Sequence, residues 1–460
     1  MKRVWNLVWL IVLPLMAQNQ TETLSPVLSE ASLPFTLEIA QAPFQLPKGL
    51  QSYASGVYKG KWILIAGRTN GLHDFANVGN NFPPQFQNTT IYVIDPVLGA
   101  SMSRTLVNAG LSQAEIDTLS VTSPEFCQKG HTLYIVGGYG INTTTGQMET
   151  KSTLTVVHLK KLIKWVQNGS KSTLRKAIRQ TSHPLLQVTG GTLFRFSSHD
   201  PFLLIMGQNF ANLYVGASNG VYTQQVRRFW LNDDRKHLSI TPKAISAIFP
   251  DYRRRDLNVV PILRRNQPAY VALAGVFTLD TGVWTVPVTI LPDGSSTQPD
   301  PEASDTFKQA MNHYECPAFG LYSTRSKNMY IVLPGGISYG FFSGGTFQTD
   351  AEIPFINQVT TIKIDKQDRY TQYLMHTEYP LIASTGSNPG NTLLFGAEAQ
   401  FFLHADIATF ANNVIRLDKI TKPTVIGYLV GGIMSTLPNT NTFTDSTASP
   451  YIFTVKLIPK

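Results

Sequence analysis

The residue types that can recognise or activate a small molecule gather in a few short segments: Ser52-Tyr53, Thr122-Ser123-Pro124-Glu125, Arg253-Arg254-Arg255-Asp256, His313-Tyr314-Glu315-Cys316 and Gly396-Ala397-Glu398. Arginine presents a planar fork of donors that fits a carboxylate bidentately, so Arg254 or Arg255 would hold an acidic group. Glu315 and Glu398 are carboxyls that could act as general acid or base. Tyr53, Asp256, His313 and Tyr314 complete a set of convergent polar groups. Two other stretches mix aromatic rings with amides and acids. One contains His73, Asp74, Phe75, Asn80, Asn81 and Phe82; the other contains Tyr339, Phe341, Phe342, Phe347 and Asp350. Each charged residue also has a purely structural reading, in which Arg254 or Arg255 pairs with Asp256 or with a neighbouring sheet. His199-Asp200 precedes Pro201 and reads as a turn.

Several chemistries have no motif. The chain contains no H-E-x-x-H, P-loop, G-x-S-x-G or clustered Cys/His set, which leaves hydrolase and nucleotide-dependent readings without support. No cofactor and no metal are expected. The net charge of +9 is too diffuse for a nucleic-acid-binding face.

The elements that position these residues are set by a recurring apolar strand that ends in glycine. Its copies are Ile63-Leu64-Ile65-Ala66-Gly67, Tyr134-Ile135-Val136-Gly137-Gly138, Leu203-Leu204-Ile205-Met206-Gly207 and Val271-Ala272-Leu273-Ala274-Gly275. Two more follow, Tyr330-Ile331-Val332-Leu333-Pro334-Gly335-Gly336 and Tyr428-Leu429-Val430-Gly431-Gly432. A short turn precedes most copies, a long polar loop follows, and then come alternating strands such as Ile91–Asp95, Val226–Leu231 and Val359–Asp365. Each unit reads as four antiparallel strands that are apolar on both faces, so it cannot bury itself alone and must pack against its neighbours in a ring. The last unit has a third strand at 451–457 and then the chain stops. Phe35–Ile39 supplies the missing outer strand if the ends pair; otherwise it is a free tail.

The Gly-Gly pairs after Tyr-Ile-Val or Tyr-Leu-Val, with a later aromatic strand, resemble kelch repeats. The resemblance implies an all-β, six-bladed kelch-like β-propeller of four-stranded antiparallel blades, closed by pairing of N- and C-terminal strands. That propeller also occurs in galactose oxidase and in a periplasmic sialic-acid mutarotase. Three units lack the double glycine and the usual blade tryptophan is mostly missing. Galactose oxidase-like copper chemistry requires tyrosine and histidine ligands; adjacent residues such as His313-Tyr314-Glu315-Cys316 do not establish such a site.

Composition fits this reading. The 460 residues are 43% hydrophobic and only 15% charged, with Gly, Pro, Tyr and Phe plentiful. Residues 1–17 read as a signal peptide: Lys2 and Arg3, an apolar run from Val4 to Met16, then Ala17. The apolar run is shorter than the roughly 20 residues a bilayer needs. Cleavage lowers the formal charge from +9 to about +7 and predicts export to the periplasm or cell surface. Residues 18–32 read as a linker and 33–460 as one domain. Cys127 and Cys316 fall in separate units, so a disulfide between them is not expected. A basic stretch at 160–179 has helical spacing of cations and apolar residues. It either contacts an anionic envelope surface or covers the rim with its charges in water.

The function expected is an exported, monomeric binding module for a carbohydrate or a protein partner. The alternatives are an enzyme acting on an acidic sugar, in the manner of a mutarotase or epimerase, and an envelope scaffold.

Overall fold

The computed structural model describes residues 24–460 except 75–79, 217–218, 235–236, 244–245, 281, 441 and 443. The expected signal peptide, the start of the linker and Phe75 therefore lie outside the described residues.

The chain is a β-propeller. Among the described residues, six sheets contain four or more strands, and four two-stranded ribbons project from the loops between strands. The first sheet is built from Ala54–Tyr58, Lys61–Ile65, Thr90–Asp95 and Ala100–Thr105, each antiparallel to the next. The other five follow the same order from the innermost strand outward. The inner strands are Glu125–Lys129, Thr192–Phe194, Val259–Arg264, Phe319–Ser323 and Gln400–Leu403. Every glycine-ended segment of the sequence forms the second strand of its sheet.

Local chemistry explains these strands. Lys61–Ile65 is rich in bulky apolar and β-branched residues, and Trp62 to Ile65 are buried on both faces of the sheet. The turn before it places Lys59 and Gly60 at φ of 49° and 75°, the double left-handed pair that matches hairpin twist. Arg265-Asn266 repeats this at 48° and 69°.

Packing closes a circle. Six apolar clusters each join two sheets that follow one another, and the last joins the sixth to the first through Trp62, Leu64, Phe402, Val430 and Ile452. The sixth sheet is completed by the N-terminal strand Phe35–Gln41, which pairs antiparallel with Ile452–Pro459; Leu37 lies opposite Leu457. Part of the expected linker also belongs to the fold, because Val27–Ser29 pairs in parallel with the outer strand of the fifth sheet. The basic stretch forms two helices, Leu159–Asn168 and Lys171–Ala177, between the third and outer strands of the second sheet. Their apolar faces are buried against the first two sheets. Among the described residues no helix is long and apolar enough to cross a membrane.

The ring is joined by backbone hydrogen bonds at the glycine ends. Gly432 N–H donates to Leu50 O at 2.9 Å, linking last sheet to first. Gly432 has φ +83°, and a Cβ there would sit 2.5 Å from Ala397 O. Gly432→Ala is expected to cost about 3 kcal/mol, from the left-handed backbone and the overlap together. Gly146→Ala, also left-handed but with nothing within 4 Å, carries only the first cost. Thermal melts of the two variants beside the wild type check this: Gly432→Ala must melt clearly lower than Gly146→Ala.

Candidate functional site

Each sheet sends its chain into the innermost strand through one residue with left-handed backbone. These are Ser52, Ser123, Gly190, Asp256, Glu315 and Glu398, with φ between 44° and 68°. Most are joined head to tail around the axis: Ser123 N–H to Ser52 O (3.1 Å), Gly190 to Ser123 (3.3 Å), Asp256 to Gly190 (2.9 Å) and Glu398 to Glu315 (2.9 Å). Left-handed backbone in a non-glycine residue is costly and persists where the surroundings hold it. Here it forms a collar around the central channel that is neutral on one side and acidic on the other.

The collar divides two spaces. Above it, on the face of the long loops, lies a narrow pocket of about 80 Å³; below it is a wider vestibule of about 450 Å³. Ser52, Ser123, Gly190 and Glu398 border both. Asp256 lines the upper pocket and Glu315 the lower vestibule.

The residue immediately after each strand-ending glycine sits above the collar. The first three are polar (Arg68, Tyr139, Gln208) and the other three apolar (Val276, Ile337, Ile433). Five of these pair in isolated bridges with the residue before the collar position, among them Arg68 with Gln51 and Val276 with Arg255. Val276, Ile337 and Ile433 pack with Phe355 and Ala397 into an apolar plug, so the open space lies on the side of the first three sheets.

Two arginines define that space. Arg255 is 6% exposed; its Nη2 donates to Tyr214 Oη at 2.9 Å, and its Nε lies 3.2 Å from Asp256 Oδ2. Phe277 and Tyr214 flank the guanidinium at 4.9 and 5.1 Å. Arg68 is 1% exposed; its Nε donates to Asn70 Oδ1 and its Nη2 to Pro83 O, while Nη1 is buried without a hydrogen-bond partner among the described residues. Burial lowers its pKa to about 10, so it stays charged at neutral pH. Gln208 Oε1, on the same wall, is likewise buried and unpartnered. His73 stacks on Phe82 at 4.7 Å and meets Tyr214 edge-on. Burial first, then Arg255 and Arg68, push its pKa down to about 3, which keeps it neutral.

The acidic half of the collar holds protons. Burial raises Asp256 to about 6; Arg255 opposes that shift and Glu398 adds to it. Glu315 is raised well above the carboxylate range by burial, by the charges of Glu398 and Asp256, and by its hydrogen bond to Glu398. Glu315 is thus held toward its protonated form, with the Glu398 side chain beside it.

The expected site residues separate into two groups. Arg255, Asp256, Glu315 and Glu398 converge on the channel, with Tyr314 beside Glu315. Arg254 does not. It is fully buried between the third and fourth sheets and donates to the carbonyls of Asp251, Leu273 and Val286. His313 is buried with Nδ1 on Gly335 O at 2.7 Å, and burial lowers its pKa to about 4. Tyr53 is buried, and its hydroxyl donates to Val430 O. Tyr53 thus ties the first sheet to the sixth, while Arg254 and His313 brace the lead-ins of their own sheets. Sequence reasoning missed Arg68, Tyr139, Gln208, Phe210 and Tyr214. The position directly after the glycines was the available signal for the first three. Both cysteines are buried and free, and among the described residues no cluster of three His, Cys, Asp or Glu has metal-binding geometry.

No family model matches this chain, and no curated protein does. Among solved structures, one described as "Structure of YjhT" is similar over 90% of this chain and 98% of its own, at 10% identity and a TM-score of 0.46.

The raised carboxyls predict how stability depends on pH. The folded state keeps protons that the unfolded chain releases, so stability falls as pH rises. The window runs from about pH 4, the ordinary carboxyl range, through about 6 for Asp256 and about 8 for buried Glu125. Buried His73 and His313 act the other way up to the ordinary histidine pKa of about 6.5, so melting temperature should drop between about pH 6.5 and pH 8, and Glu315→Gln, which mimics the protonated acid, should flatten part of that drop. A wild-type melting temperature that climbs steadily over this range contradicts the assignment.

Proposed function

We propose that this protein is an exported, six-bladed, kelch-type propeller that binds a small acidic sugar in its axial pocket. The observation that carries the reading is the pair of buried arginines, Arg68 and Arg255, on one aromatic-walled cavity, with Arg68 Nη1 left unpartnered among the described residues. A buried guanidinium N–H without an acceptor is costly, and a ligand carboxylate supplies that acceptor. Tyr139, Phe210, Tyr214 and Phe82 offer ring faces, and Gln51, Thr122, Thr189 and Gln208 offer polar groups for hydroxyls. The six blades correspond to the six sheets and their six interfaces. The glycine pairs support the kelch assignment, and the first 17 residues support export.

Titration calorimetry with a panel of hexuronates, other acidic sugars and their neutral counterparts tests this reading. Acidic members should bind and neutral ones should not. Arg255→Lys, which keeps the charge but loses the fork, should weaken binding at least about tenfold. Equal binding of neutral and acidic sugars, or none by either, removes the proposal.

A second reading is favoured by one feature, the adjacent carboxyls Glu315 and Glu398 at the collar. Burial holds Glu315 toward its protonated form, and two neighbouring carboxyl groups are what opening and closing a sugar ring requires of an acid and a base. Exchange between anomers, followed by NMR, should be accelerated by the wild type and slowed by Glu398→Gln. If pure protein leaves the exchange rate unchanged, the propeller binds without catalysing.

A further inference from the structure

The pocket opens among the long loops, so the opposite face is made of the tight turns between first and second strands and between third and outer strands. On that face the first two sheets form a basic quadrant. Lys160, Lys161 and Lys164 stand exposed on the helix Leu159–Asn168, and Lys176 stands exposed just before the outer strand that begins at Ile178. Lys59 projects from the first turn of the neighbouring sheet. Asp95, on the same sheet, is already engaged by Lys61. None of these five lysines has an ion-pair partner among the described residues.

A second feature lies in the same quadrant. The turn between the third and outer strands of the first sheet, Pro96-Val97-Leu98-Gly99, carries two aliphatic side chains into solvent, with Val97 86% and Leu98 75% exposed. The helix Leu159–Asn168 packs on this sheet, and Arg104 Nε, from its outer strand, donates to Val166 O at the end of the helix. The helix's own apolar residues are buried. The lysines are therefore held rigidly at the surface, and the aliphatic contribution comes from the turn.

We propose that this turn face docks on an anionic lipid bilayer, with the lysines against the headgroups and Val97-Leu98 dipping into the interface. Lysines near a negative membrane surface attract it additively, and exposed aliphatics beside them gain by leaving water only when the partner has an apolar layer. A soluble polyanion satisfies the lysines but gives Val97 and Leu98 nothing. Docking in this orientation leaves the axial pocket facing away from the membrane, open to solutes.

Co-sedimentation of the full chain with phosphatidylcholine vesicles, with and without 30% phosphatidylserine, tests the proposal at low and high salt. Residues 1–17 are common to every variant, so differences among variants report the turn face. Wild type should partition onto the phosphatidylserine vesicles and be released by salt. Lys160→Glu, Lys161→Glu and Lys164→Glu combined should reduce partitioning about 100-fold, at roughly fivefold per lysine. Val97→Ser with Leu98→Ser should also reduce it while leaving binding to heparin, a soluble polyanion, unchanged. All these residues are exposed, and unchanged melting temperatures confirm that the variants fold. Wild type binding heparin but not vesicles, or the triple-glutamate variant binding like wild type, overturns it. Failure here leaves the sugar-binding reading of the pocket untouched, because its calorimetry needs no vesicles.

Discussion

A backbone hydrogen bond from the glycine that ends a second strand to the next sheet's lead-in carries the architecture. Gly67 donates to Val121 O, Gly138 to Val188 O, Gly207 to Arg254 O, Gly336 to Phe395 O and Gly432 to Leu50 O. The bond needs an N–H turned sideways out of the strand, which left-handed backbone provides. It also needs room: a Cβ on Gly67 would lie 2.4 Å from Gln51 O. Glycine meets both demands at once. Because each bond joins neighbours, the sheets are spaced by main-chain geometry, and the apolar clusters then fill the wedges between them.

The same constraint makes the site. Once the lead-in is tied to the preceding sheet, the residue before the collar pairs with the residue after its own sheet's glycine. One ring of side chains is therefore stacked directly over another. The upper ring changes from polar to apolar around the axis, and the lower ring changes from neutral to acidic. Three carboxyls in one recess cannot all ionise cheaply with a single adjacent arginine, Arg255, to offset them. The raised Glu315 is the electrostatic outcome of burial and of that crowding.

Strand positions were legible in the sequence because the glycine-ended segments are buried on both faces and cannot be mistaken for loops. The pairing of Phe35–Gln41 with the C-terminal strand was legible for the same reason, since an unpartnered third strand demands a partner. Side-chain direction was less accessible. Arg254 and Arg255 are adjacent and chemically identical, yet extended backbone sends them to opposite sides, one into the sheet interface and one into the channel. Composition alone cannot tell which is which. The register can, because Arg255 directly precedes the left-handed collar residue, as Gln51, Thr122 and Thr189 do in other sheets. His313 was misread in the same way: its ring turns back to Gly335 O. Tyr214 and Phe210 were invisible because they arrive on a long loop with no repeat to index them.

The join between the chain ends makes the acidic half of the site depend on the N-terminal segment. The sixth sheet contributes Glu398 and Ile433, yet its outer strand comes from Phe35–Gln41. The chain leaving that strand then delivers Leu50, the acceptor for Gly432. Before it, Glu30 is buried, with Oε2 accepting from His376 N–H and its carbonyl from Lys460 Nζ. One short stretch thus caps the outer edge of the fifth sheet, completes the sixth and closes the ring onto the first. Without it, Ile452–Pro459 would be a bare edge and the Gly432 link would be lost. The sixth sheet, which carries Glu398, would then be tied to the fifth through Gly336 and Glu315 but no longer to the first by the Gly432 bond.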